Sequence, residues 1–328
     1  MPLIPTLCSR WLPALALATG LAASFTAPAT AQTVDYPNRP IELVVPFQPG
    51  GGTDALARAF AEAARKQVPP GIVIVNKPGA SGAIGWNEVI HAKPDGYKLA
   101  LVTVELTTLP HMGLAKFTHE DFSLIARLNA DQAAITVKAD APYNTIEEFL
   151  AAARKTPGEM KVGNAGNGSI WHLAAAALED KTGTQYNHVP FQGAGPAVQA
   201  LMGGHIDAVA VSPAEVGTYV ASGKLKTLAV MAENRVKGFE KVPTLKERNI
   251  DLVIGTWRGL AAPKGTPPEV MAWLRGVTAK TANEPALREA MDKLNLGYSY
   301  ADDVAFRAAM ARDNTYFKAL MAKLNIKN

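Results

Sequence analysis

Cysteine is almost missing from the sequence: Cys8 is the only one among 328 residues. It precedes an apolar stretch over residues 11–25, and residues 29–31 (Ala-Thr-Ala) supply a small-x-small cleavage pattern. We therefore predict an export signal over residues 1–31, with an uncleaved anchor as the alternative. The apolar stretch is shorter than the roughly 20 residues of a membrane span. Cleavage would leave a chain without cysteine, which excludes disulfides and thiol catalysis.

Sequence patterns typical of nucleic-acid, metal and nucleotide binding are absent as well. Lys and Arg number 33 against 29 Asp and Glu, a net charge of +4, but no long basic run favours nucleic acid. The six histidines have no compact metal-binding spacing. No glycine fits the G-x-x-x-x-G-K-[ST] frame, and Trp171 stands where G-x-G-x-x-G needs a third glycine after Gly166 and Gly168. We therefore expect no nucleic-acid partner, no metal and no cofactor.

The composition is that of a folded protein with a large core, because 48% of the residues are hydrophobic and 19% are charged. Strand-like and helix-like patterns alternate over residues 41–102 in the order βαβαβ. This order favours a mostly parallel sheet with helices on both faces. A second αβ series begins near residue 133, and the C-terminal end is mainly helical. The pattern indicates an α/β protein with two lobes of similar size.

Glycine-rich loops precede two of the predicted helices. Residues 50–52 are all glycine and follow a strand, and the loop over residues 163–169 also follows one. The first amide N–H groups of a helix lack internal partners and carry part of its dipole, so a loop without side chains lets an anion approach. Thr53 and Asp54 would lie at the N-terminus of the first helix and stabilise it. One such loop in each lobe predicts a clamp with two halves for one small anion; the alternative is two tight turns.

Five further residues are candidates with two interpretations each. His172, in the first turn after the second loop, stabilises either an anion or the loop itself. Phe191, like Trp171, either stacks on a ligand or belongs to the core. Asp207 contacts either the ligand or the backbone amides of a nearby loop. Arg258 pairs either with a second ligand carboxylate or with an acidic side chain, at the surface or across the lobes.

Signatures of catalysis are weak. Residues 79–83 (Gly-Ala-Ser-Gly-Ala) resemble a nucleophile elbow, but Ala83 stands where G-x-S-x-G needs glycine. A secreted hydrolase with Ser81 or Ser169 as nucleophile and His172 as base is the rival hypothesis. We expect that the chain is not an enzyme.

An ordered series of motifs runs from about residue 35 almost to the C-terminus. In chain order it comprises Tyr36-Pro37, Pro40-Ile41, Val45-Pro46-Phe47, Pro49-Gly50-Gly51 with Asp54, Asn76-Lys77-Pro78-Gly79-Ala80, Pro94-Asp95-Gly96-Tyr97, Gly166-Asn167-Gly168-Ser169 with His172-Leu173, Val189-Pro190-Phe191 with Gly193, Gly203-Gly204 with Asp207, Gly223-Lys224-Leu225, Pro243-Thr244, and Ala262-Pro263 with Gly265-Thr266-Pro267. This series resembles the extracytoplasmic solute receptors of bacterial tripartite tricarboxylate transporters, the TctC or Bug family. Its order and its length make the resemblance specific.

The resemblance implies a two-lobed type II periplasmic binding fold with a hinge between the lobes. Lobe 1 would take residues 35–134 and 253–328, and lobe 2 residues 135–252. The resemblance also implies two loops that hold a ligand carboxylate through backbone amides and waters. Together with the candidates above, the predicted ligand-binding residues are Phe47, Gln48, Gly51, Gly52, Thr53, Asp54, Thr103, Asn164, Gly166, Asn167, Gly168, Ser169, His172, Phe191, Asp207 and Arg258.

The implied function is that of a monomeric periplasmic receptor. It would close around a small organic acid, a mono- or dicarboxylate that is aliphatic or aromatic, and present it to separate membrane permease subunits. Gln48, Asn164, His205 and Arg258 depart from the residues common in the family, and this leaves the far end of the ligand open. A ligand sensor for a membrane signalling protein is the alternative.

Overall fold

The computed structural model describes residues 36–324. The predicted export signal over residues 1–31 lies outside the described residues. Among the helices of the described part, none combines the length and the apolar character that crossing a membrane requires.

Strands and helices alternate through the described residues. The strands are β1 (Ile41–Val45), β2 (Ile72–Asn76), β3 (Lys98–Thr103), β4 (Phe122–Gln132), β5 (Ala134–Lys138), β6 (Lys161–Asn164), β7 (Asn187–Pro190), β8 (Ala208–Val211), β9 (Leu225–Val230), β10 (Gly255–Pro263) and β11 (Tyr298–Asp302). The helices are α1 (Gly52–Ala63), α2 (Ala83–Ile90), α3 (Ile146–Lys155), α4 (Ile170–Thr182), α5 (Ala194–Met202), α6 (Pro213–Ala221), α7 (Pro268–Ala282), α8 (Pro285–Lys293) and α9 (Asp303–Lys323).

The first sheet has six strands in the order β11-β4-β10-β3-β1-β2. Strand β1 is parallel to β2 and to β3, as the βαβαβ pattern predicts. Strands β10, β4 and β11 are antiparallel to their neighbours, so the prediction of a mostly parallel sheet is wrong for this half. The reason is topological. Strand β10 comes from late in the chain and lies between β3 and β4, without the crossover helix that joins parallel neighbours.

The second sheet has five strands in the order β7-β6-β8-β5-β9. Strand β6 is parallel to β7 and β8, whereas β5 is antiparallel to β8 and β9. The chain passes from the first sheet to the second between Gln132 and Ala134 and returns between β9 and β10. We call the elements built on the first sheet lobe 1 and those built on the second sheet lobe 2. The lobe boundaries near residues 134 and 253 stay predictions.

Helices on both faces of the first sheet hold the end of β1 in place. Val44 and Val45 point to opposite faces of the strand, and both are fully buried. Val45 packs in one core with Leu56 of α1, and Val44 packs in the other with Trp86 of α2. The Trp86 ring N–H also donates a hydrogen bond to the carbonyl oxygen of Leu101 at 3.0 Å. This packing fixes the point from which the glycine loop leaves the sheet.

Candidate ligand-binding site

A cavity of about 20 Å³ lies between the two lobes. This volume holds about one water molecule, so a ligand of several heavy atoms does not fit in this arrangement of the lobes. The lining residues of lobe 1 are Phe47, Gln48, Gly51, Gly52, Thr53, Asp54, Thr103, Glu105, Thr256 and Arg258, and those of lobe 2 are Ala165, Ile170, Trp171, Ala194 and Glu215.

The N-terminus of α1 lies at this cavity, and we call such a helix N-terminus a helix mouth. No side chain caps the helix: Gly51, the N-cap residue, has an extended backbone, and its one helical bond is made by its carbonyl oxygen, which accepts from the Ala55 N–H at 3.0 Å. The N–H groups of the first turn are therefore available to an anion, as the sequence predicts. Asp54 holds the preceding loop, because its carboxylate accepts hydrogen bonds from the Gly50 N–H at 3.2 Å and from Asn76 Nδ2 at 3.0 Å. Burial raises the pKa of Asp54, but these bonds and one from Arg58 outweigh it and lower the pKa.

The mouth of α5 in lobe 2 faces the mouth of α1. This helix also begins without a side-chain cap, after Gly193, whose φ of 136° favours glycine. A Cβ atom on Gly51 would lie 3.5 Å from the Gly195 nitrogen and 3.9 Å from the Ala194 nitrogen. The backbone N–H of Gln48 donates to the carbonyl oxygen of Gln192 at 3.1 Å and joins the two loops. Two uncapped helix N-termini, one from each lobe, thus meet at the cavity.

The loop before α4, the predicted second half of the clamp, does not lead into an uncapped helix N-terminus. The Ile170 N–H at the start of α4 donates to Glu105 Oε1 at 2.9 Å, so a carboxylate from lobe 1 already occupies this helix end. Asn164 Oδ1 accepts from the Gly166 N–H at 2.9 Å, and Ser169 Oγ accepts from the backbone N–H of His172 at 3.3 Å. None of the predicted residues Asn164, Gly166, Asn167, Gly168, Ser169 and His172 lines the cavity. Ala165 of this loop and Ile170 and Trp171 of α4 do line the cavity, but the uncapped helix N-terminus opposite α1 is that of α5.

Arg258 lies at the centre of a buried network beside the cavity and is 1% exposed. Its Nε donates to Thr53 Oγ1 at 3.0 Å, and its Nη1 donates to Asn129 Oδ1 at 2.6 Å and to the Asp131 carboxylate. Its Nη2 donates to Glu215 Oε1 at 2.9 Å. Glu215 belongs to lobe 2 and the other partners to lobe 1. The network therefore contains the ion pair across the lobes that was the alternative to a ligand contact for Arg258.

Two buried glutamates at the cavity were missed by sequence reasoning. Glu105 lies in the turn Val104–Thr107 after β3, and its Oε2 accepts from the Thr103 hydroxyl. Glu215 forms a capping box with Ser212 at the start of α6 and reaches Arg258 with its other oxygen. Burial raises the pKa of both carboxyl groups. The capping box is a sequence signal for a helix start, but nothing in it shows that one glutamate oxygen faces another lobe.

The remaining predicted residues take different places. Phe47, Gln48, Gly51, Gly52, Thr53, Asp54, Thr103 and Arg258 line the cavity, whereas Phe191 and Asp207 do not. Phe191 is half-buried and packs on the main core. Asp207 accepts a hydrogen bond from the Lys161 N–H at 2.8 Å, at the first residue of β6 and away from the cavity. For Asp207 the structure thus supplies the backbone contact that was the alternative to ligand binding.

The groups of the hydrolase hypothesis do not form a nucleophile and base pair. The Ser81 hydroxyl donates to the carbonyl oxygen of Asn167 at 2.5 Å. Ser169 Oγ contacts the backbone of His172, whereas Nδ1 of the His172 ring accepts a hydrogen bond from the Gly168 N–H at 3.2 Å. The ring therefore stabilises the loop.

His172 makes the stability of the fold depend on pH. Burial, assisted by the neighbouring His188 ring 4.8 Å away, lowers the pKa of His172 from 6.5 to about 4. Between these values the unfolded chain binds more protons, so the free energy of unfolding rises with pH. The contribution is complete above about pH 6.5 and is lost as the pH falls towards 4.

We expect this group to cost about 2 kcal/mol of stability between about pH 7 and about pH 5. Urea unfolding of the wild type at both pH values measures the loss. His172→Asn keeps a hydrogen-bond acceptor for the Gly168 N–H but does not titrate, so its pH dependence should be weaker by that amount. An equal loss in both proteins would contradict the assignment to His172.

Two α/β lobes that meet over helix N-termini define a two-lobed solute-binding protein, which confirms the predicted fold class. The family profile described as "Tripartite tricarboxylate transporter family receptor" matches residues 56–326. The chain belongs to this family, and the resemblance drawn from its motifs is confirmed. The family consists of receptors and not of enzymes.

Three similar proteins illustrate the relationship. The UPF0065 protein in the gbd 5' region of Cupriavidus necator is 35% identical, with 94% of each chain covered. A TctC solute-binding protein from Polaromonas, solved with no ligand, is 64% identical with a TM-score of 0.64, covering 88% of this chain and 99% of that one. MatC from Rhodopseudomonas palustris, solved with bound malate, is 25% identical with a TM-score of 0.82, covering 87% and 99%.

Proposed function

We propose that the chain is a periplasmic receptor that binds a small organic carboxylate between the N-termini of α1 and α5 and delivers it to the permease of a tripartite transporter. The observation that carries this proposal is the meeting of two uncapped helix mouths, one from each lobe, at a single cavity. Their N–H groups and dipoles both favour one negative charge. The export signal and the periplasmic location belong to the same proposal.

Neutral donors suit a receptor that must release its ligand. A carboxylate held by backbone N–H groups of both lobes gains most when the lobes are closed, and it loses half of its donors when they open. Its affinity is thus tied to closure. Glycine at positions 51, 52, 193 and 195 lets the two backbones approach the same small group.

Comparison of two solved relatives supports a movement of the lobes. The Polaromonas protein without ligand has the higher identity, 64%, but the lower TM-score, 0.64. MatC with malate has 25% identity and a TM-score of 0.82. Because proteins of 64% identity share nearly the same fold within each lobe, the lower score supports a different arrangement of the lobes. The bound malate of MatC, a small organic acid, supports the ligand class.

A thermal-shift screen tests the proposal. Mono-, di- and tricarboxylates, both aliphatic and aromatic, are compared with uncharged analogues of the same size. A ligand present at about 1,000 times its Kd is expected to stabilise the chain by about 4.1 kcal/mol. Stabilisation by uncharged compounds alone, with no response to any carboxylate, would refute the anion clamp. Loss of uptake of the identified acid in cells that lack the receptor then separates a transport receptor from a sensor.

A further inference from the structure

The two buried glutamates give the cavity an excess of acceptors and of negative charge. Among the residues that line it, Arg258 is the one basic side chain, and Glu105 and Glu215 are both at least nine-tenths buried. Arg258 already contacts the carboxylates of Asp131 and Glu215. The positive charge of the cavity wall is therefore neutralised by groups of the chain itself.

A second ligand carboxylate finds no free cation here. Four N–H groups of Arg258 donate to Thr53, Asn129, Asp131 and Glu215. The fifth N–H, the second on Nη2, is the one donor left, and an anion bound there would lie beside the Glu215 carboxylate, on a guanidinium whose charge Asp131 and Glu215 already offset.

Hydrogen-bond donors of a ligand, by contrast, find acceptors. Each carboxylate has about four lone-pair sites. Glu105 uses one for the Ile170 N–H and one for the Thr103 hydroxyl. Glu215 uses one for Arg258 and two for the N–H and the hydroxyl of Ser212. Both carboxylates thus keep acceptor capacity, and both line the space that the ligand enters.

We infer that Glu105 and Glu215 determine specificity: they exclude a second ligand carboxylate and accept hydrogen bonds from a hydroxyl or ammonium group, so that the ligand is a monocarboxylate that carries a hydrogen-bond donor. This inference rests on the proposed function, since the helix mouths hold the single carboxylate. It also replaces the expectation of a dicarboxylate ligand, which an unpaired Arg258 would have favoured.

Calorimetric titration of the full chain with two matched sets of acids tests the assignment. The first set is butyrate, 4-hydroxybutyrate, 4-aminobutyrate and glutarate, the 4-carboxy derivative; the second is benzoate with its 4-hydroxy, 4-amino and 4-carboxy derivatives. In each set only the far group changes. We expect the hydroxy or the amino acid to bind at least about tenfold more tightly than the plain acid and the diacid. In the aliphatic set the hydroxy and amino members show whether the donor is neutral or cationic; in the aromatic set both donors are neutral, because an aryl amine is uncharged near neutral pH.

Two variants locate the effect. Glu215→Gln removes one negative charge and should improve binding of the diacid relative to the donor-bearing acid by about tenfold. Glu105→Gln should act in the same direction, and it keeps the test open if the Glu215 variant, which alters a capping box, unfolds. Glu62→Gln is the matched control, because the Glu62 side chain is 70% exposed on α1 and pairs only with the exposed Arg65.

Three results would overturn the assignment. They are a diacid that binds the wild type as tightly as its donor-bearing partner, an unchanged preference in both glutamine variants, and no binding of any donor-bearing acid while other carboxylates bind. The proposed function fails by a separate result, which is the absence of stabilisation by any carboxylate. The two claims are therefore distinguishable in one series of titrations.

Discussion

Gly195→Ala is expected to remove most of the ligand affinity while the chain stays folded. A Cβ atom at this position would lie 2.9 Å from the carbonyl oxygen of Pro49, 3.1 Å from the carbonyl carbon of Gly50 and 3.2 Å from the nitrogen of Gly51. All three are backbone atoms of the loop in the other lobe. Because a backbone cannot turn aside as a flexible side chain can, the added methyl group keeps the two helix mouths apart.

The size of the effect follows from the closure that the clamp needs. If only one helix mouth reaches the carboxylate, we expect the affinity to fall by about 100-fold or more, equivalent to about 2.7 kcal/mol. Within its own helix the substitution is tolerated, since Gly195 is the second residue of α5 and Ala is a better helix former than Gly. Calorimetric titration with an acid found by the thermal-shift screen measures the affinity, and urea unfolding measures the stability.

Gly276→Ala is the matched control for this experiment. Gly276 lies within α7, and a Cβ atom there meets nothing within 4 Å. Its affinity for the ligand should equal that of the wild type. Small-angle scattering adds a second measurement: ligand should make the wild type and the control more compact and leave Gly195→Ala unchanged. Wild-type affinity in Gly195→Ala would show that the contact between α1 and α5 is not part of the clamp.

The first helix mouth could be predicted from the sequence because its signal is local. Residues 50–52 are glycines between a buried strand and a helix, and the structure places that loop at the cavity. The second loop is also rich in glycine, yet Gly166 and Gly168 have φ values of 122° and 73°. These two glycines are required by the turn itself. Gly195 is required by a close approach between lobes, which no local pattern reveals.

Long-range pairing explains the other differences. The strands β4, β10 and β11 come together across more than a hundred residues, and β11 adds a strand to an end predicted to be mainly helical. The partners of Arg258 lie up to 205 positions away in the sequence. The local sequence around each of these acidic residues and strands does not indicate its distant partner. Only the packed fold shows that Glu215 from lobe 2 is a partner of Arg258 from lobe 1.

Arg258→Met is expected to destabilise the chain by about 3–5 kcal/mol. Methionine fills much of the space of the arginine stem, but it removes the cation from between Asp131 and Glu215, both of which are buried. A buried carboxylate without a counterion is far less stable than one that water solvates. Urea unfolding at about pH 7 measures the loss.

Two further variants separate the loss of charge from the loss of packing. Arg65→Met makes the same replacement on a side chain that is 73% exposed and should change stability by less than about 0.5 kcal/mol. Adding Glu215→Gln to Arg258→Met removes one of the stranded carboxylates. The double variant should therefore be more stable than the sum of the two single losses predicts. Strict additivity would show that arginine acts through packing alone.

The pH dependence of the stability of Arg258→Met provides an independent test. Burial already raises the pKa of Glu215, and Arg258 opposes this shift. Without the arginine the folded chain binds a proton at Glu215 more readily than the unfolded chain does, so the variant regains stability as the pH falls. We expect the difference from the wild type to be smaller at about pH 5 than at about pH 7. Both proteins carry His172, so its contribution cancels in this difference.

A stability difference that stays constant over this pH range would mean that Glu215 does not need Arg258 as its counterion. The same result would remove the electrostatic reason for excluding a second ligand carboxylate.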